Sequence, residues 1–457
     1  MLKKIRSVNP FTGEVIGEFS LLSKRRVDAE VLLSRKIFLN WGALPIGERL
    51  DCIKRLAGQL RADKQKYAEL MTLEMGKPIR EALAEVDKCA WLCDYYAENA
   101  AAYLRPEAVR TEASRSYVRF EPLGIVLAIM PWNFPFWQAF RFGIPAICAG
   151  NGILLKHASN VPMCALAIEK AFEKAGFPDH VFKTLLINAK RAIRLIDEDK
   201  VNAVSLTGSN RAGAEVGAHA GAAIKKIVLE LGGSDAFIVL DDADIEKAGR
   251  MAVRARMVNS GQSCIAAKRF IVHEKIAGTF RDIFTARLRE LKIGDPMDVS
   301  TEVGPVARQD ILLSLNEQLH DAEEKGGDII QHRHVPEKGL FFAPSVVFQA
   351  TKDMRVMNEE VFGPLAAVTI VKSDAEAIHI ANDSQFGLGA SVWSGNIERA
   401  EWLAEKLQCG TVAINDMVKS DPRLPFGGVK KSGVGRELSH YGIREFVNIK
   451  SVVVHSL

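Results

Sequence analysis

From Gly124 onward, short apolar runs alternate with amphipathic stretches, and this alternation limits the fold of the 457-residue chain more than any other feature. Residues 152–155 lead into a helical pattern at 162–174, and residues 203–206 lead into another at 211–220. Strands that alternate with helices build parallel βαβ units. A second set of strand candidates follows at 235–240, 269–273, 365–371, 391–393 and 411–414. The sequence therefore predicts an α/β protein with two α/β domains.

The two ends of the chain show other patterns. Apolar residues recur at helical spacing between 48 and 104, with a break near Gly76-Lys77-Pro78, which predicts a helical hairpin or bundle. Residues 451–457 are mostly β-branched and apolar, which is typical of a strand that needs a sheet edge. Two interpretations stay open for that edge: a neighbouring subunit, which we favour, or the strand's own domain.

The composition limits the partners that we expect. The 60 basic and 56 acidic residues give a net charge of +4 and are spread along the chain, so nothing predicts a nucleic-acid partner. The first residues are basic but no apolar region follows them, unlike in a secretory signal. The longest apolar stretch, 123–150, is interrupted by prolines and an arginine, which a lipid-spanning helix tolerates poorly. We expect a cytoplasmic protein without a membrane partner.

The seven cysteines are odd in number and irregular in spacing. This indicates reduced thiols rather than a disulfide framework. Cys89 and Cys93 are four residues apart and could share a helix face, but no histidine or second cysteine pair accompanies them to complete a zinc site. We expect core packing for this pair and no bound metal.

Cys264 and Glu230 offer a nucleophile and a base. Cys264 follows the run 258–263 (VNSGQS), whose small residues can turn backbone N–H groups toward the sulfur and favour the thiolate. Glu230 precedes two glycines at 232–233 and could activate the water that clears a covalent intermediate. The alternatives are structural: a small buried cysteine and a glutamate at a turn.

Asn133 lies between Pro131 and Pro135, directly after the predicted strand 124–129. A fixed amide at the carboxyl end of a strand, where α/β sites gather, could serve as one arm of an oxyanion hole. The alternative is a turn that the asparagine stabilises.

No G-x-G-x-x-G fingerprint or Walker phosphate loop occurs in the chain, so a nucleotide would have to be held differently. Two strand-to-helix junctions, 155–160 and 206–213, place small or polar residues where a helix N-terminus presents unpaired N–H groups. Such groups suit a phosphate. An ordinary Ser or Asn N-cap is the simpler interpretation of each junction.

Several motifs in one order resemble the NAD(P)-dependent aldehyde dehydrogenase superfamily over essentially the full length. They are Pro131–Pro135, Lys156, Gly208-Ser209, Glu230–Gly233, Gly261–Cys264, Glu360–Pro364 and Pro425–Gly428. Within the superfamily, the stretches 156–158, 264–270 and 435–440 are similar to the shorter bacterial succinate-semialdehyde dehydrogenases.

The resemblance implies two Rossmann-like α/β domains and a small β oligomerisation arm. The implied dinucleotide-binding domain comprises residues 1–103 and 123–232, the catalytic domain 233–441, and the arm 104–122 and 442–457. The resemblance also implies a homodimer or a homotetramer.

Roles for the motif residues follow from the same resemblance. The Cys264 thiolate attacks the aldehyde, the Asn133 side chain and the Cys264 backbone N–H hold the oxyanion, and Glu230 activates the water that hydrolyses the thioester. Glu360 should hold the nicotinamide ribose, and Lys156 should reach the adenosine ribose. The full set implied to bind the NAD(P) cofactor is Trp132, Lys156, Ser159, Gly208, Ser209, Leu231, Glu360 and Phe362.

Ser159 bears on the choice between NADP and NAD. Many NAD-specific relatives carry a glutamate three residues after the lysine that corresponds to Lys156, where it accepts hydrogen bonds from the adenosine ribose. A carboxylate would repel a 2'-phosphate, whereas a serine hydroxyl can donate to one in a charge-assisted pair worth about 1.5–3 kcal/mol. We predict that NADP is favoured, although a serine also permits NAD.

Arg141 is a charge within an apolar helical run, and such a charge is seldom buried without a partner. In succinate-semialdehyde dehydrogenases the corresponding arginine binds the distal carboxylate, so the resemblance makes Arg141 the substrate anchor, with Ser420 as a helper. The alternative is a structural salt bridge. Several such enzymes have a second arginine six residues before the catalytic cysteine, and here that residue is Val258.

The predicted reaction is oxidation of an aldehyde, with succinate semialdehyde as the expected substrate. Because Val258 replaces the second arginine, other short or medium aldehydes remain alternative substrates. A CoA-acylating dehydrogenase and a catalytically silent nucleotide-binding protein are two further hypotheses for the function. His440 stands where some relatives have an acidic proton-relay residue, and it receives no role.

Overall fold

The computed structural model describes residues 4–456. Its strands are β1 (Lys4–Val8), β2 (Val15–Ser20), β3 (Glu107–Ala108), β4 (Arg115–Pro122), β5 (Ile125–Met130), β6 (Gly152–His157), β7 (Phe182–Thr184), β8 (Ala203–Thr207), β9 (Lys226–Glu230), β10 (Asp235–Val239), β11 (Ala267–His273), β12 (Asp328–Gln331), β13 (Ser345–Phe348), β14 (Leu365–Val371), β15 (Phe386–Gly387), β16 (Gly389–Trp393), β17 (Thr411–Ile414), β18 (Val429–Lys430), β19 (Gly433–Val434) and β20 (Val447–Val454).

The helices are α1 (Lys24–Ala43), α2 (Ile46–Ala62), α3 (Lys64–Met75), α4 (Ile79–Tyr103), α5 (Pro135–Cys148), α6 (Pro162–Lys174), α7 (Ala189–Asp197), α8 (Asn210–Ala222), α9 (Ile245–Met257), α10 (Ala277–Arg289), α11 (Gln309–Glu324), α12 (Arg355–Asn358), α13 (Asp374–Asn382), α14 (Ile397–Lys406) and α15 (Ser439–Ile443). The predicted alternation of strands and helices from Gly124 onward is confirmed.

The first large sheet carries most of the motifs around the candidate site. Its order is β19-β9-β8-β5-β6-β7, and all neighbours are parallel except β19, which runs antiparallel to β9. The chain leaves β5 toward β6 and β7, then returns to the other side of β5 with β8 and β9. The strand order therefore reverses at β5, and ligands of α/β sheets bind beside such a switch point, at the carboxyl ends of the strands.

The second large sheet has seven strands in the order β12-β13-β14-β11-β10-β16-β17, parallel except for β12. Its strands β10, β11 and β16 are fully buried, as is typical of parallel strands between covering helices, although β11 includes the buried charges of Lys268 and Arg269. Phe237, Phe270 and Trp393 form part of the core against the covering helices α9 and α10. Two parallel sheets confirm the predicted α/β class.

The helical pattern predicted between 48 and 104 corresponds to α2, α3 and α4. The break predicted near Gly76 is present, because Gly76 ends α3 in the left-handed region with φ +76°. A further break at Asp63 separates α2 from α3. Cys89 and Cys93 are fully buried in α4, which confirms core packing for this pair.

The C-terminal strand β20 pairs antiparallel with β4 over eight residues, and β3 adds to the other side of β4. The expectation that a neighbouring subunit supplies the edge for residues 451–457 is therefore wrong for this edge: residues 115–122 of the same chain supply it. The domain boundaries themselves stay a prediction. Residues 1–3 and 457, at the ends of the predicted first domain and arm, lie outside the described part. Between residues 4 and 456, no helix combines the length and the apolar character needed to cross a membrane.

Candidate active site

Cys264 lies on a loop between α9 and β11 that has an unusual backbone. Asn259, Ser260 and Gly261 all have left-handed φ angles, of 55°, 54° and 74°. A Cβ atom on Gly261 would overlap the carbonyl group of Gly363 and lie 2.6 Å from the amide nitrogen of Pro364. Only glycine adopts this conformation at low cost in such close contact with another backbone. The sequence Gly261-Gln262-Ser263-Cys264 thus folds into a turn pressed against the loop that carries Glu360 and Phe362.

Two buried cations hold this loop from both sides. The Lys268 Nζ donates hydrogen bonds to the carbonyl oxygens of Ser263, Cys264 and Ala266 at 3.0, 2.7 and 3.0 Å. Arg256 donates to the carbonyls of Gly261 and Ala267. Both side chains are fully buried. Neither residue was predicted to have a role, although Lys268 belongs to the stretch 264–270 that carries the family resemblance.

The Cys264 side chain is half-buried, and burial raises the pKa of its thiol to about 12. The nearby positive charges of Arg141 and Lys268 lower this pKa, but by less than burial raises it. The thiol is therefore protonated at neutral pH, in contrast to the thiolate that the small neighbouring residues led us to expect. Attack on a carbonyl then requires a base that accepts the thiol proton.

Glu230 is the last residue of β9, and its carboxyl group is buried. In the described part of the chain no group donates a hydrogen bond to its Oε1, which faces Gly427, where a Cβ atom would lie 2.7 Å away. The segment after Glu230 touches the nucleophile loop, because a Cβ on Gly233 would lie 2.7 Å from the carbonyl oxygen of Cys264. Burial raises the pKa of Glu230 well above its usual range, although Arg141 lowers it. A carboxyl group with a raised pKa beside a nucleophile is suited to general acid–base chemistry.

Asn133 joins the same loop from β5. The Asn133 Nδ2 donates to the carbonyl oxygen of Gln262 at 3.1 Å, and the Asn259 Nδ2 donates to the carbonyl oxygen of Asn133 at 2.7 Å. These bonds hold the buried Asn133 side-chain amide against the backbone of Gln262, two residues before Cys264. The structure therefore brings together the three residues that the sequence proposed as catalytic.

Arg141 is buried beside two carboxylates. Its Nε donates to Glu437 Oε2, and its Nη2 lies 4.0 Å from Glu230 Oε2. The guanidinium carbon lies 4.4 Å from the centre of the Phe426 ring. The alternative of a structural salt bridge is thus present, with Glu437 as a partner that the sequence analysis missed within the motif 435–440. Among residues 4–456 the Nη2 group has no hydrogen-bond partner, although it is buried.

Ser420 accepts a hydrogen bond from Lys88, a residue that was not predicted to belong to the site. The Lys88 Nζ donates to Ser420 Oγ at 2.7 Å. His440 is exposed and packs near Tyr103 and Tyr441.

Glu360 and Phe362 lie next to the residues that follow Glu230. The Glu360 Oε1 accepts a hydrogen bond from the Gly233 N–H at 3.0 Å, and a Cβ on Gly232 would lie 2.5 Å from its Oε2. Phe362 packs edge-on against Trp132, with ring centroids 5.6 Å apart. A carboxylate and two aromatic rings therefore lie close to the residues that follow Glu230, and such groups are suited to a ribose and a flat ring.

The remaining predicted cofactor residues follow the strands β6, β8 and β9. Lys156 is half-buried near the end of β6, and within residues 4–456 its Nζ forms no ion pair. Ser159 is exposed three residues later. Ser209 caps α8 through a hydrogen bond from the Ala212 N–H at 3.3 Å, as the simpler interpretation of that junction expected.

Close packing places α8 against this edge of the sheet, since a Cβ on Gly213 would lie 2.5 Å from Leu231. Gly208 immediately precedes the cap residue of α8. An unpaired cation, a helix N-terminus and a carboxylate on one edge fit the phosphate and ribose groups of a dinucleotide.

Comparison with known proteins agrees with this geometry. The sequence profile described as the aldehyde dehydrogenase family matches residues 1–452. This chain belongs to the aldehyde dehydrogenase family. A probable NADP-dependent succinate-semialdehyde dehydrogenase of a Synechocystis species is 47% identical over 449 residues, which are 98% of this chain and 99% of the relative.

Two other aldehyde dehydrogenases support the comparison. The Escherichia coli succinate semialdehyde dehydrogenase Sad, named for NAD(P)+, is 44% identical over 98% of this chain and 97% of its own length. The crystal structure of succinic semialdehyde dehydrogenase from Streptococcus pyogenes with NADP+ has a TM-score of 0.96 at 36% identity, covering 99% of this chain and all of that one. The family and the fold inferred from the sequence motifs are confirmed.

Proposed function

We propose that this aldehyde dehydrogenase oxidises succinate semialdehyde to succinate, with NADP as the favoured oxidant. The observation that carries the proposal is the cluster of Cys264, Glu230 and Asn133 beside the buried Arg141. The names of the relatives described above support this substrate and cofactor. Another short or medium aldehyde is the alternative substrate.

The cluster supplies the groups that the reaction needs. The Cys264 sulfur attacks the carbonyl carbon, and Glu230, whose Oε1 has no hydrogen-bond donor among residues 4–456, takes the thiol proton. The Asn133 amide and the Cys264 N–H stabilise the oxyanion of the thiohemiacetal. The bound nicotinamide supplies the hydride acceptor. After hydride transfer has turned the thiohemiacetal into a thioester, Glu230 releases the thiol proton to solvent and is a base again. It then removes a proton from the water that attacks the thioester. The acid leaves, and this second proton passes to the Cys264 sulfur and restores the thiol.

Cys264→Ala tests whether this chemistry occurs. We expect no reduction of the cofactor with any aldehyde, while binding of NADP, measured by protein fluorescence, is retained. Retained reduction would contradict the role of Cys264. If the wild-type protein binds NADP but reduces it with no aldehyde, the protein is the catalytically silent alternative.

The same residues could serve a CoA-acylating enzyme, in which thiolysis replaces hydrolysis. The buried Glu230 favours hydrolysis, because it can activate the attacking water, a step that thiolysis by CoA does not include. Product analysis with and without CoA distinguishes the two. We expect free succinate in both cases, and a CoA thioester would overturn hydrolysis.

The preference for NADP rests on Lys156 and Ser159. The unpaired Lys156 ammonium and the exposed Ser159 hydroxyl can both bind a 2'-phosphate. Glu360, Trp132, Phe362 and Ser209 would hold the rest of the cofactor. The expected kcat/KM is about tenfold or more higher with NADP than with NAD. Ser159→Glu should reverse this preference, and a clear NAD advantage of the wild type would refute it.

Arg141 would bind the distal carboxylate of the substrate through its Nη2 group. Arg141→Met in combination with Glu437→Gln removes both members of the hydrogen-bonded ion pair, so Glu437 is not left as a buried charge without its partner. Loss of Arg141 also removes a positive charge from Glu230, and that effect should be the same for every aldehyde. Compared with Glu437→Gln alone, the double variant should raise KM for succinate semialdehyde far more than KM for butanal. Equal effects on both aldehydes would count against the assignment.

We also propose a cytoplasmic homo-oligomer that assembles through β20. This strand lies at the edge of its sheet, and its Ile449 and Val453 side chains are 59% and 56% exposed. An exposed apolar edge strand is a ready surface for a second subunit. The molar mass measured by light scattering should correspond to a dimer or a tetramer. The double variant Ile449→Lys/Val453→Lys should have a lower molar mass, because the charged side chains should disrupt the assembly.

A further inference from the structure

One face of α4 lies along the active site. The Glu81 Oε2 accepts a hydrogen bond from the backbone N–H of Asn259, in the nucleophile loop, at 2.7 Å. One turn later, Glu85 Oε1 accepts the N–H groups of Phe136 and Trp137, at the start of α5, at 2.9 Å each. Residues three and four apart share a helix face, so the next residue on this face is Lys88.

Lys88 occupies a site that is unusual for a lysine. Its Nζ donates to Ser420 Oγ and lies 4.3 Å from the centre of the Trp137 ring. Within residues 4–456 it forms no ion pair with a carboxylate. The nearby carboxylates have other partners, since Glu85 pairs with Lys77 and Asp421 pairs with Arg423. A half-buried cation without a counter-ion suits an anionic ligand.

The position of Lys88 relative to Arg141 suggests what that ligand is. Trp137 and Arg141 are four residues apart on α5 and therefore share one face of this helix. Lys88 lies over the Trp137 ring, so its ammonium and the guanidinium of Arg141 are on adjacent turns of the same surface. Ser420, the predicted helper of Arg141, is the residue to which Lys88 donates.

We propose that Lys88 is a specificity-determining residue, the second cation that binds the distal carboxylate of the substrate together with Arg141. It supplies the second positive charge that Val258 does not provide. This inference rests on the proposed oxidation of an aldehyde that carries a carboxylate. A lysine is a single point charge rather than a bidentate fork, so it contributes attraction and Arg141 contributes orientation.

The surroundings of Lys88 give the proposal a pH dependence. Burial, followed by the charge of Arg141, lowers the pKa of Lys88 to about 8, whereas Cys89, Glu85 and Asp421 raise it. Above that pH the ammonium loses its proton, and the preference for a carboxylate-bearing aldehyde should decline. A neutral aldehyde should not show this decline.

The experiment compares Lys88→Met, which keeps an apolar stem of similar length, with the charge-preserving Lys88→Arg. The control is Lys54→Met, because Lys54 is exposed on α2. For each protein, kcat and KM are measured with succinate semialdehyde and with butanal. In Lys88→Met the ratio of the two kcat/KM values should fall by about tenfold or more, through KM for succinate semialdehyde. Lys88→Arg should restore most of it, and the control should retain it.

Each outcome has a definite meaning. An unchanged ratio in Lys88→Met, or equal losses with both aldehydes, overturns the role of Lys88 while the proposed function stands. A wild-type protein that oxidises butanal as well as succinate semialdehyde overturns both.

If Lys88→Met does not fold, the role of Lys88 is tested by measuring the constant for inhibition of butanal oxidation by succinate. The succinate inhibition constant should rise above about pH 8 in the wild type but not in Lys88→Arg. The same constant at all pH values in both proteins would overturn the proposal.

Discussion

Replacing Gly261 with alanine tests whether the left-handed turn of the nucleophile loop positions Cys264. At φ +74° an alanine pays roughly 1–2 kcal/mol, because its Cβ approaches the following carbonyl oxygen. The same Cβ would overlap the carbonyl group of Gly363, and relieving such overpacking costs about 1–3 kcal/mol. The neighbouring atoms are backbone and cannot rotate away. We therefore expect a loss of about 2–5 kcal/mol in the free energy of unfolding.

The activity should fall as well, because relief of the overlap must move the loop. Gln262 follows the turn directly, and its carbonyl oxygen accepts hydrogen bonds from both Asn133 and Asn259 at 3.1 Å. A displacement of about 1 Å at such a site can lower the rate about a hundredfold. The expected result is a reduced kcat with a smaller change in the affinity for NADP.

Gly58→Ala is the matched control for this substitution. Gly58 lies within α2, and a Cβ there would have no neighbour within 4 Å. Alanine should stabilise the helix by about 0.5–1 kcal/mol and leave the activity unchanged. The assays are thermal unfolding by circular dichroism and the initial rate of reduced-cofactor formation. If Gly261→Ala unfolds at the same temperature as the wild type and has the same kcat, the turn does not set the position of Cys264.

Three further predictions concern residues around Cys264. Asn133→Ala should lower kcat by about 10²–10³-fold, as loss of an oxyanion donor does, and a purely structural asparagine would instead affect only thermal stability. Because burial raises the pKa of Glu230, its base form is lost as the pH falls, so kcat should increase from neutral to alkaline pH. Glu230→Gln should abolish release of the acid at every pH, and turnover with the wild-type pH profile would exclude Glu230 as the base. Lys268→Met should slow alkylation of Cys264 by iodoacetamide, because it removes a positive charge that lowers the thiol pKa; faster alkylation would contradict this.

Residues close together in sequence were predicted well. The helix 162–174 and the strands 365–371 and 411–414 have the predicted bounds, because hydrophobic periodicity depends on the local chain. The motif order alone was enough to assign Cys264, Glu230 and Asn133 to one site. The predictions that needed a local environment did less well, since burial of Cys264 raises its thiol pKa instead of favouring the thiolate.

The sequence by itself determined the strand and helix pattern, the family and the residue types that carry the chemistry, since all of these depend on short stretches of chain. Tertiary structure alone decided which charges meet. Arg141 and Glu437 are 296 residues apart, and Lys88 and Ser420 are 332 apart. No periodicity links such positions. Their contacts depend on how α15 and the chain before it pack against α4 and α5, and only the folded chain fixes that arrangement.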